Sequence, residues 1–256
     1  MKKIVFFDID GTLLDHNKQL PDMTKQAIDQ LKKNGVFVAI ATGRAPFMFE
    51  NLRKELDIDS FISMNGQFVV FENEPIYKNP LPEKSIERLL EFSNEAGHSI
   101  VYLDEKAMRA TVTNDDKVDI SLRSLKFPHP EMDIHYYKNR DIYQALVFSE
   151  EKDDELYKSS FPEFRFIRWH KYSTDVLPAK GSKAEGIKLM IEKLGFDLKN
   201  VYAFGDGLND IEMLKTVGTG VAMGNGKDEV KEAADFVTTG VHENGIWNGL
   251  KEQGLI

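Results

Sequence analysis

Short apolar runs alternate with segments of helical periodicity at both ends of the chain. The runs that predict buried strands are Ile4–Phe7, Val36–Ala41, Phe61–Ser63, Val201–Phe204 and Gly220–Ala222. The helical faces between them repeat every three or four residues, at positions 23, 27, 28 and 31, at 49, 52 and 56, and at 187, 190, 191 and 194. Continuous apolar strands that alternate with helices are typical of a parallel sheet covered on both faces. The pattern therefore predicts an α/β fold with a Rossmann-like, doubly wound parallel sheet.

The middle of the chain, residues 82–178, follows a different pattern. Pro80 and Pro82 lie in a linker-like segment, and Pro178 ends the region. Helices are predicted around residues 86–92 and near Glu150, and the predicted strands are Ile100–Leu103, Met108–Val112, Ile142–Phe148, Phe164–Trp169 and Ser173–Leu177. Strands that follow one another directly favour an antiparallel sheet with helices on one face. We therefore expect a core formed by residues 1–81 and 179–256, with an inserted α+β domain at 82–178.

Composition limits the partners and the chemistry. The net charge of −9 over 256 residues argues against nucleic acid as the main partner, because phosphate neutralisation needs a basic face. The negative net charge is still compatible with a small anionic substrate, since one metal ion or lysine can make the electrostatic potential of a cleft positive. There is no cysteine, which excludes disulfides and thiolate chemistry. The apolar run after the first lysines is too short for a signal peptide, and no run approaches ~18 residues. These features predict a cytoplasmic protein without a membrane partner.

Polar residues directly follow three of the predicted core strands. The segments are "DIDGT" at 8–12, "TGR" at 42–44 and "GDGLND" at 205–210. In open parallel sheets, ligands bind at the carboxyl ends of the strands. The carboxylates of Asp8, Asp10 and Asp206 are hard oxygen ligands, which suit Mg²⁺ better than zinc.

The same strand ends carry groups that suit phosphoryl chemistry. A carboxylate can attack phosphorus and form an aspartyl-phosphate, while a second one acts as general acid and then general base. The hydroxyl of Thr42, backbone N–H groups after Asp8, the amide of Asn209 and a lysine in "PAKGSKAEGI" could all donate to phosphoryl oxygens. These residues predict a phosphoryl-transfer site.

The four motifs "DIDGT", "ATGR", "KGSK" and "GDGLND" resemble, in this order, the motifs of the haloacid dehalogenase superfamily of phosphotransferases. The insertion between the second and third motifs resembles the Cof-type branch (class IIB), which carries a large α/β cap there. Four motifs in order, each after a predicted strand or at the start of a helix, form a specific signal.

The resemblance implies a role for each matching residue. Asp8 would be the nucleophile, and Asp10 would protonate the leaving oxygen and then activate water. Mg²⁺ would be held by Asp8, the backbone carbonyl of Asp10, and Asp206. The phosphoryl group would be held by Thr42, the N–H groups of Ile9 and Gly43, Lys183 and Asn209, and Asp210 would orient Lys183 or support the metal. The family's lysine follows Ser or Asn in the first turn of a helix, which favours Lys183 over Lys180.

Several other positions allow two interpretations. Arg44 either starts the next helix or pairs with a carboxylate, and Asn65-Gly66 is either a simple turn or part of the cleft.

The glycine-rich segment at 218–226 is not a dinucleotide loop, because Met223 occupies the third glycine position and a strand begins there. Ordinary surface or packing roles are expected for the six histidines, which lack metal-ligand spacing in the sequence. Cap residues expected on a solvated face, with substrate contact as the alternative, are Arg109, Arg123, Lys126, Arg168, His170 and Lys171. Aromatic residues expected in the cap core are Phe127, Tyr136 and Tyr137.

The expected function is a Mg²⁺-dependent phosphatase for small phosphorylated metabolites, either sugar phosphates or phosphorylated cofactors. A phosphomutase of the phosphomannomutase type and a catalytically idle sensor of a phosphorylated metabolite are the alternatives. A dehalogenase reaction is disfavoured by Asp10, because a halide needs no proton from a general acid. The sequence determines neither the substrate nor the oligomeric state.

Overall fold

The computed structural model describes residues 2–256, within which strands and helices alternate over much of the chain. In chain order the strands are β1 (Ile4–Phe7), β2 (Phe37–Ala41), β3 (Phe61–Ser63), β4 (Phe68–Phe71), β5 (Glu74–Lys78), β6 (Ser99–Leu103), β7 (Met108–Ala110), β8 (Gln144–Phe148), β9 (Phe164–His170), β10 (Ser173–Pro178), β11 (Val201–Gly205), β12 (Thr219–Ala222) and β13 (Phe236–Val237). The α-helices are α1 (Asp22–Lys33), α2 (Glu50–Leu56), α3 (Glu83–Glu95), α4 (Asp116–Ser124), α5 (Asp154–Ser160), α6 (Lys183–Leu194), α7 (Ile211–Thr216), α8 (Asp228–Ala233) and α9 (Gly245–Glu252).

Residues 2–256 form two compact units. The core unit comprises the described residues up to Arg44, Met48–Tyr77 and Ser182–Ile256, and the inserted unit comprises Ala45–Phe47 and Lys78–Gly181. The domain bounds expected from the sequence, 1–81 with 179–256 and 82–178, stay a prediction. No helix in the described part of the chain is long and apolar enough to cross a membrane.

The core unit contains one sheet in the order β13-β12-β11-β1-β2-β3-β4-β5. The strands from β13 to β3 run parallel, whereas β4 is antiparallel to β3. The fully buried strand β1 lies at the centre, with Ile4 in register with Val201 of β11 and with Phe37 of β2. The predicted Rossmann-like parallel sheet is confirmed.

Alternate side chains of the central strands pack against helices on opposite faces. On one face, Phe6 and Ala203 belong to an apolar cluster with residues of α6, α7 and α8. On the other, Phe7 stacks on Phe204, with ring centroids 5.1 Å apart. A Cβ on Gly249 of α9 would lie 2.6 Å from the Phe204 ring, so this close packing requires glycine. The sheet is therefore covered on both sides, as its continuous apolar strands predicted.

The inserted unit contains an antiparallel sheet in the order β7-β6-β8-β10-β9. Leu89 of α3 and Tyr157 of α5 pack in one apolar cluster with β-strand residues. Tyr136 and Tyr137 are buried in this cluster, as predicted, whereas Phe127 is only half-buried. The unit therefore has a hydrophobic core of its own, and its α+β class is confirmed.

The sequence patterns missed β4, β5, β13, α4, α7, α8 and α9. Strand β5 is a partly exposed edge strand with charged ends, so it lacks a continuous apolar run. Helix α4 contains β-branched and serine residues of modest helix propensity. Its start depends on Asp115, whose side chain accepts hydrogen bonds from the N–H groups of Lys117 and Val118.

Candidate active site

Asp8 directly follows the last residue of β1, the central strand of the sheet. Its backbone N–H donates to the carbonyl of Phe204 at 3.0 Å, which continues the ladder between β1 and β11. The residue is only 7% exposed. A buried carboxylate needs a partner, because desolvation of an isolated charge is costly.

Lys183 is that partner. It is the first residue of α6, whose N-cap Ser182 accepts a hydrogen bond from the N–H of Glu185 at 3.2 Å. The ammonium group is 1% exposed and donates to Oδ1 of Asp8 at 2.5 Å and to Oδ1 of Asp210 at 2.7 Å. Lys180 is exposed and belongs to the inserted unit. Of the two lysines, Lys183 therefore contacts the strand-end acids.

Asp210 connects this lysine to the loop after β11. Its Oδ2 accepts hydrogen bonds from the N–H groups of Asp206, at 3.1 Å, and Gly207, at 2.9 Å. Asp206 in turn accepts a hydrogen bond from the hydroxyl of Thr12 at 2.8 Å. A Cβ on Gly11, whose φ is +84°, would lie 2.2 Å from Asp206, so glycine is required beside this carboxylate.

The acidic residues fit a Mg²⁺ site. One carboxylate oxygen each from Asp8, Asp206 and Asp210 lie within 4.8 Å of one another. Three hard oxygen donors suit Mg²⁺. The Asp10 side chain lies outside this group, so only its backbone carbonyl stays a candidate ligand.

The pKa values of the ionisable groups in this cluster are strongly shifted. Burial, together with the neighbouring carboxylates, raises the pKa of Asp8 well above its ordinary value of 3.8, although Lys183 opposes the shift. Burial also raises the pKa of Asp206 to about 6. Burial alone would lower the pKa of Lys183, but Asp210 and Asp8 outweigh it and the pKa is raised. The cluster would therefore be stabilised by a further cation.

Asp10 has a different set of partners. Arg44 donates to both of its oxygens, from Nε at 2.7 Å and from Nη2 at 2.6 Å, and Lys18 donates at 2.6 Å. Burial tends to raise the pKa of Asp10, but the arginine and the lysine outweigh it and lower the pKa. Of the two interpretations of Arg44, the structure shows pairing with a carboxylate. Lys18 was missed because it lies in a turn that carries no motif.

The remaining predicted residues surround the end of β2. Thr42 is buried, and its hydroxyl accepts a hydrogen bond from the N–H of Arg44 at 3.1 Å. The amide of Asn65 lies beside Gly43, and its Oδ1 accepts a hydrogen bond from Asn209 at 3.3 Å. The second and fourth motifs therefore meet at Asn65, which is part of the site as well as of a turn.

Two residues hold strained backbone conformations at this point. Met64 and Asn65 have φ values of 49° and 51°, in the left-handed region. The N–H of Met64 donates to the carbonyl of Arg44, and the N–H of Asn65 donates to that of Thr42. These bonds fix the backbone of the second motif. Ile9 of the first motif, a backbone donor expected from the sequence, is fully buried.

Two of the expected surface cations in the inserted unit are paired locally. Arg123 approaches Asp119 at 3.4 Å, one turn away on α4, and Arg168 forms an ion pair with Asp154. Such pairs support a structural or solvated role for these two side chains.

The chain matches one family of known proteins over nearly its whole length. A sequence model of the haloacid dehalogenase-like hydrolases matches residues 5–250. The chain therefore belongs to the haloacid dehalogenase-like hydrolases, and the resemblance seen in the four motifs is confirmed.

Individual relatives match over the whole chain. The protein YkrA of Bacillus subtilis (strain 168) is 52% identical over 254 residues, which cover 99% of this chain and 98% of YkrA. The crystal structure of a hypothetical protein from Geobacillus kaustophilus HTA426 is 60% identical, with a TM-score of 0.95 and complete coverage of both chains. The structure of the subclass IIB sugar phosphatase BT4131 is 31% identical, with a TM-score of 0.88 and complete coverage of both chains.

Proposed function

We propose that this protein is a Mg²⁺-dependent phosphatase that hydrolyses small phosphorylated metabolites through an aspartyl-phosphate on Asp8. The observation that carries this proposal is the position of the Asp8 carboxylate. It lies at the end of the central strand, 2.5 Å from Lys183 and in one cluster with Asp206 and Asp210. This arrangement brings a nucleophile, a fixed cation and metal-binding oxygens to the same point.

The first half of the reaction transfers the phosphoryl group to the protein. An oxygen of Asp8 forms a bond to phosphorus while the bond from phosphorus to the substrate oxygen breaks. Asp10 gives its proton to that leaving oxygen. Lys183 and the donors at Thr42 and Asn209 stabilise the negative charge on the phosphoryl oxygens.

The second half releases phosphate. Asp10, now a carboxylate, removes a proton from water, and the water oxygen attacks phosphorus. The bond between phosphorus and Asp8 then breaks, which restores the Asp8 carboxylate. Mg²⁺, held by Asp8, Asp206 and the carbonyl of Asp10 with Asp210 in support, would supply positive charge that neutralises the acids and the phosphoryl oxygens.

Asp10 can act as an acid only after its partners change. Arg44 and Lys18 lower its pKa and so favour the ionised form. The contacts with these two cations therefore describe a resting state. Substrate phosphate is a natural competitor for Arg44, because guanidinium groups bind phosphate oxygens in the same bidentate manner as carboxylates.

Sugar phosphates and phosphorylated cofactors are the proposed substrate classes. The similarity to the sugar phosphatase BT4131 over the full length of both chains supports the first class. The strongly perturbed acids support phosphoryl chemistry but do not distinguish between alcohol groups.

Phosphate release from a panel of hexose phosphates, pentose phosphates, pyridoxal phosphate and flavin mononucleotide tests the proposal. Each compound is assayed with Mg²⁺ and with EDTA, using the wild type, the Asp8→Asn variant and the matched Asp29→Asn control on the exposed face of α1. We expect Mg²⁺-dependent release that is lost only in Asp8→Asn. Isomerisation of a hexose phosphate without net release would instead identify a phosphomutase, and binding without any turnover would identify a sensor.

A further inference from the structure

A second cluster of metal-ligating side chains lies outside the carboxylate group. It consists of Asp15, His16 and His242, whose candidate ligand atoms all lie within 4.8 Å of one another. Nδ1 of His16 is 2.8 Å from Nε2 of His242, and the two rings meet edge to face with centroids 4.8 Å apart. The two histidines are 226 residues apart in the chain. Their spacing in the sequence therefore carried no signal of a shared site.

The backbone around the cluster is fixed by other contacts. The side chain of Asn225 donates to the carbonyl of Gly11 and accepts from the N–H of Val241, both at 2.8 Å. This amide joins the segment before His16 to the turn that carries His242. The two imidazoles are therefore brought together by the fold itself, with no need for their own contact to hold them.

The geometry of the cluster suits a cation. Nδ1 of His16 and Nε2 of His242 lie at hydrogen-bond distance, so one nitrogen donates its N–H and the other accepts with its lone pair. The Asp15 carboxylate accepts a hydrogen bond from the N–H of Gln19 at 2.8 Å, which orients it. A carboxylate and two imidazole nitrogens thus converge, and a metal ion that replaced the proton between the rings would bind both nitrogens.

We propose that Asp15, His16 and His242 bind a divalent transition-metal ion of the zinc type, at a site distinct from the proposed Mg²⁺ site. Zn²⁺ binds two imidazole nitrogens together with one carboxylate oxygen, whereas Mg²⁺ prefers oxygen ligands alone. This assignment does not depend on the proposed phosphatase function.

The distances support such an ion. Zinc binds imidazole nitrogen at about 2.0–2.1 Å, which places two nitrogens of a tetrahedral site about 3.3 Å apart. His16 and His242 would therefore separate by about 0.5 Å, a small rotation for two exposed side chains. Three protein ligands leave a fourth position for water.

Metal titration of the full-length protein tests the proposal. Co²⁺ absorption and Zn²⁺ calorimetry are measured in the Asp206→Asn background with excess Mg²⁺, so that binding to the carboxylate cluster is suppressed. We expect one ion per chain at micromolar concentration, with a Co²⁺ spectrum typical of nitrogen ligation. Either His16→Asn or His242→Asn should weaken binding by about 10-fold or more, and Zn²⁺ should raise the melting temperature only where both histidines are present.

The His135→Asn variant is the matched control, since His135 is an exposed histidine in the inserted unit. It should bind the ion like its parent. The proposal is overturned if no saturable binding occurs at submillimolar ion, or if folded His16→Asn and His242→Asn variants bind as tightly as the control. Circular dichroism establishes that these variants are folded, and Asp15→Asn provides an independent third substitution.

Discussion

Asp8 and Asp10 are separated by one residue, yet the protein places them in opposite environments. Asp8 is buried with Lys183 and two further carboxylates, and its pKa is raised. The side chain of Asp10 is 32% exposed and is held by Arg44 and Lys18, which lower its pKa. Neighbouring carboxylates thus acquire different properties from partners that arrive from distant parts of the chain.

The direction of these shifts is the reverse of what the proposed roles require during catalysis. A nucleophile must be ionised, whereas a general acid must hold a proton. A cation beside Asp8 would favour its ionised form, and departure of Arg44 and Lys18 would allow Asp10 to be protonated. A bound metal ion and substrate would therefore shift both pKa values towards those that the proposed roles require.

Replacement of Asp8 or of Asp10 should give the largest losses of activity, and the two losses should differ in size. Asp8→Asn should reduce phosphate release by about 10⁴-fold or more, because the nucleophile is removed from a group of residues that act together. Asp10→Asn should cost about 10²–10⁴-fold, the usual contribution of a general acid or base. Steady-state phosphate assays with the best substrate measure both.

Intact mass spectrometry then distinguishes the two variants. A phosphoryl adduct is expected on Asp10→Asn, whose water attack is slowed, and on no preparation that carries Asp8→Asn. An adduct on Asp8→Asn would show that another residue is the nucleophile.

Replacement of Lys183, the buried cation beside Asp8, should lower the stability of the protein. Lys183→Met should lower the free energy of unfolding by about 3–5 kcal/mol at neutral pH, because Asp8 and Asp210 lose their buried cation. Urea denaturation measures the change. The matched variant is Lys180→Met, which removes an exposed lysine and should stay within about 0.5 kcal/mol of the wild type. Equal effects of the two substitutions would contradict the buried ion pair.

The raised pKa of Asp206 predicts a pH dependence. Its pKa is about 6 in the folded protein against an ordinary value of 3.8. The folded state therefore binds more protons between these values, and this group's contribution to stability falls as the pH rises from about 4 to about 6. Asp206→Asn removes that penalty and should stabilise the metal-free protein by about 1–3 kcal/mol at pH 7.5.

Denaturant unfolding in EDTA between pH 4 and pH 7.5 measures this difference. The gain of Asp206→Asn over the wild type should shrink towards the acidic end, where the carboxyl group is protonated in the folded state and becomes protonated in the unfolded state as well. Added Mg²⁺ should stabilise the wild type more than the variant. A gain that is constant with pH would show that Asp206 does not titrate as described.

Replacement of Arg44, which pairs with Asp10, should have the smallest effect on stability. Arg44→Met should raise the pKa of Asp10 and lower stability at neutral pH by about 1 kcal/mol, since the pair is partly exposed. A lowered folded pKa contributes stability above the unfolded pKa and loses it as the pH falls through the folded value. The stability difference should therefore vanish at low pH.

Carbon-detected NMR titration of the carboxyl groups follows Asp10 directly. Arg123→Met, which removes an exposed arginine paired with Asp119, is the matched control and should leave the Asp10 titration unchanged. An Asp10 titration that is insensitive to Arg44→Met would mean that the ion pair is not maintained in solution.

The central architecture and the acids at the strand ends could be predicted from the amino-acid sequence. Continuous apolar runs identified β1, β2, β3, β11 and β12, because burial on both faces leaves a local signature in the order of residues. Asp8 and Asp206 were recognisable for the same reason, since each directly follows such a run. Lys183 was recognisable from the resemblance to the family, whose lysine follows Ser or Asn in the first turn of a helix. These are features in which the relevant neighbours are close in sequence.

Contacts between side chains of different elements could not be predicted in this way. Arg44 reaches Asp10 over 34 residues, Asn209 reaches Asn65 over 144, and His242 reaches His16 over 226. Hydrophobic periodicity describes one element at a time, so it contains no information on partners that lie on different elements. The charge state of each acid follows from those partners and from burial, which exist only once the chain has folded.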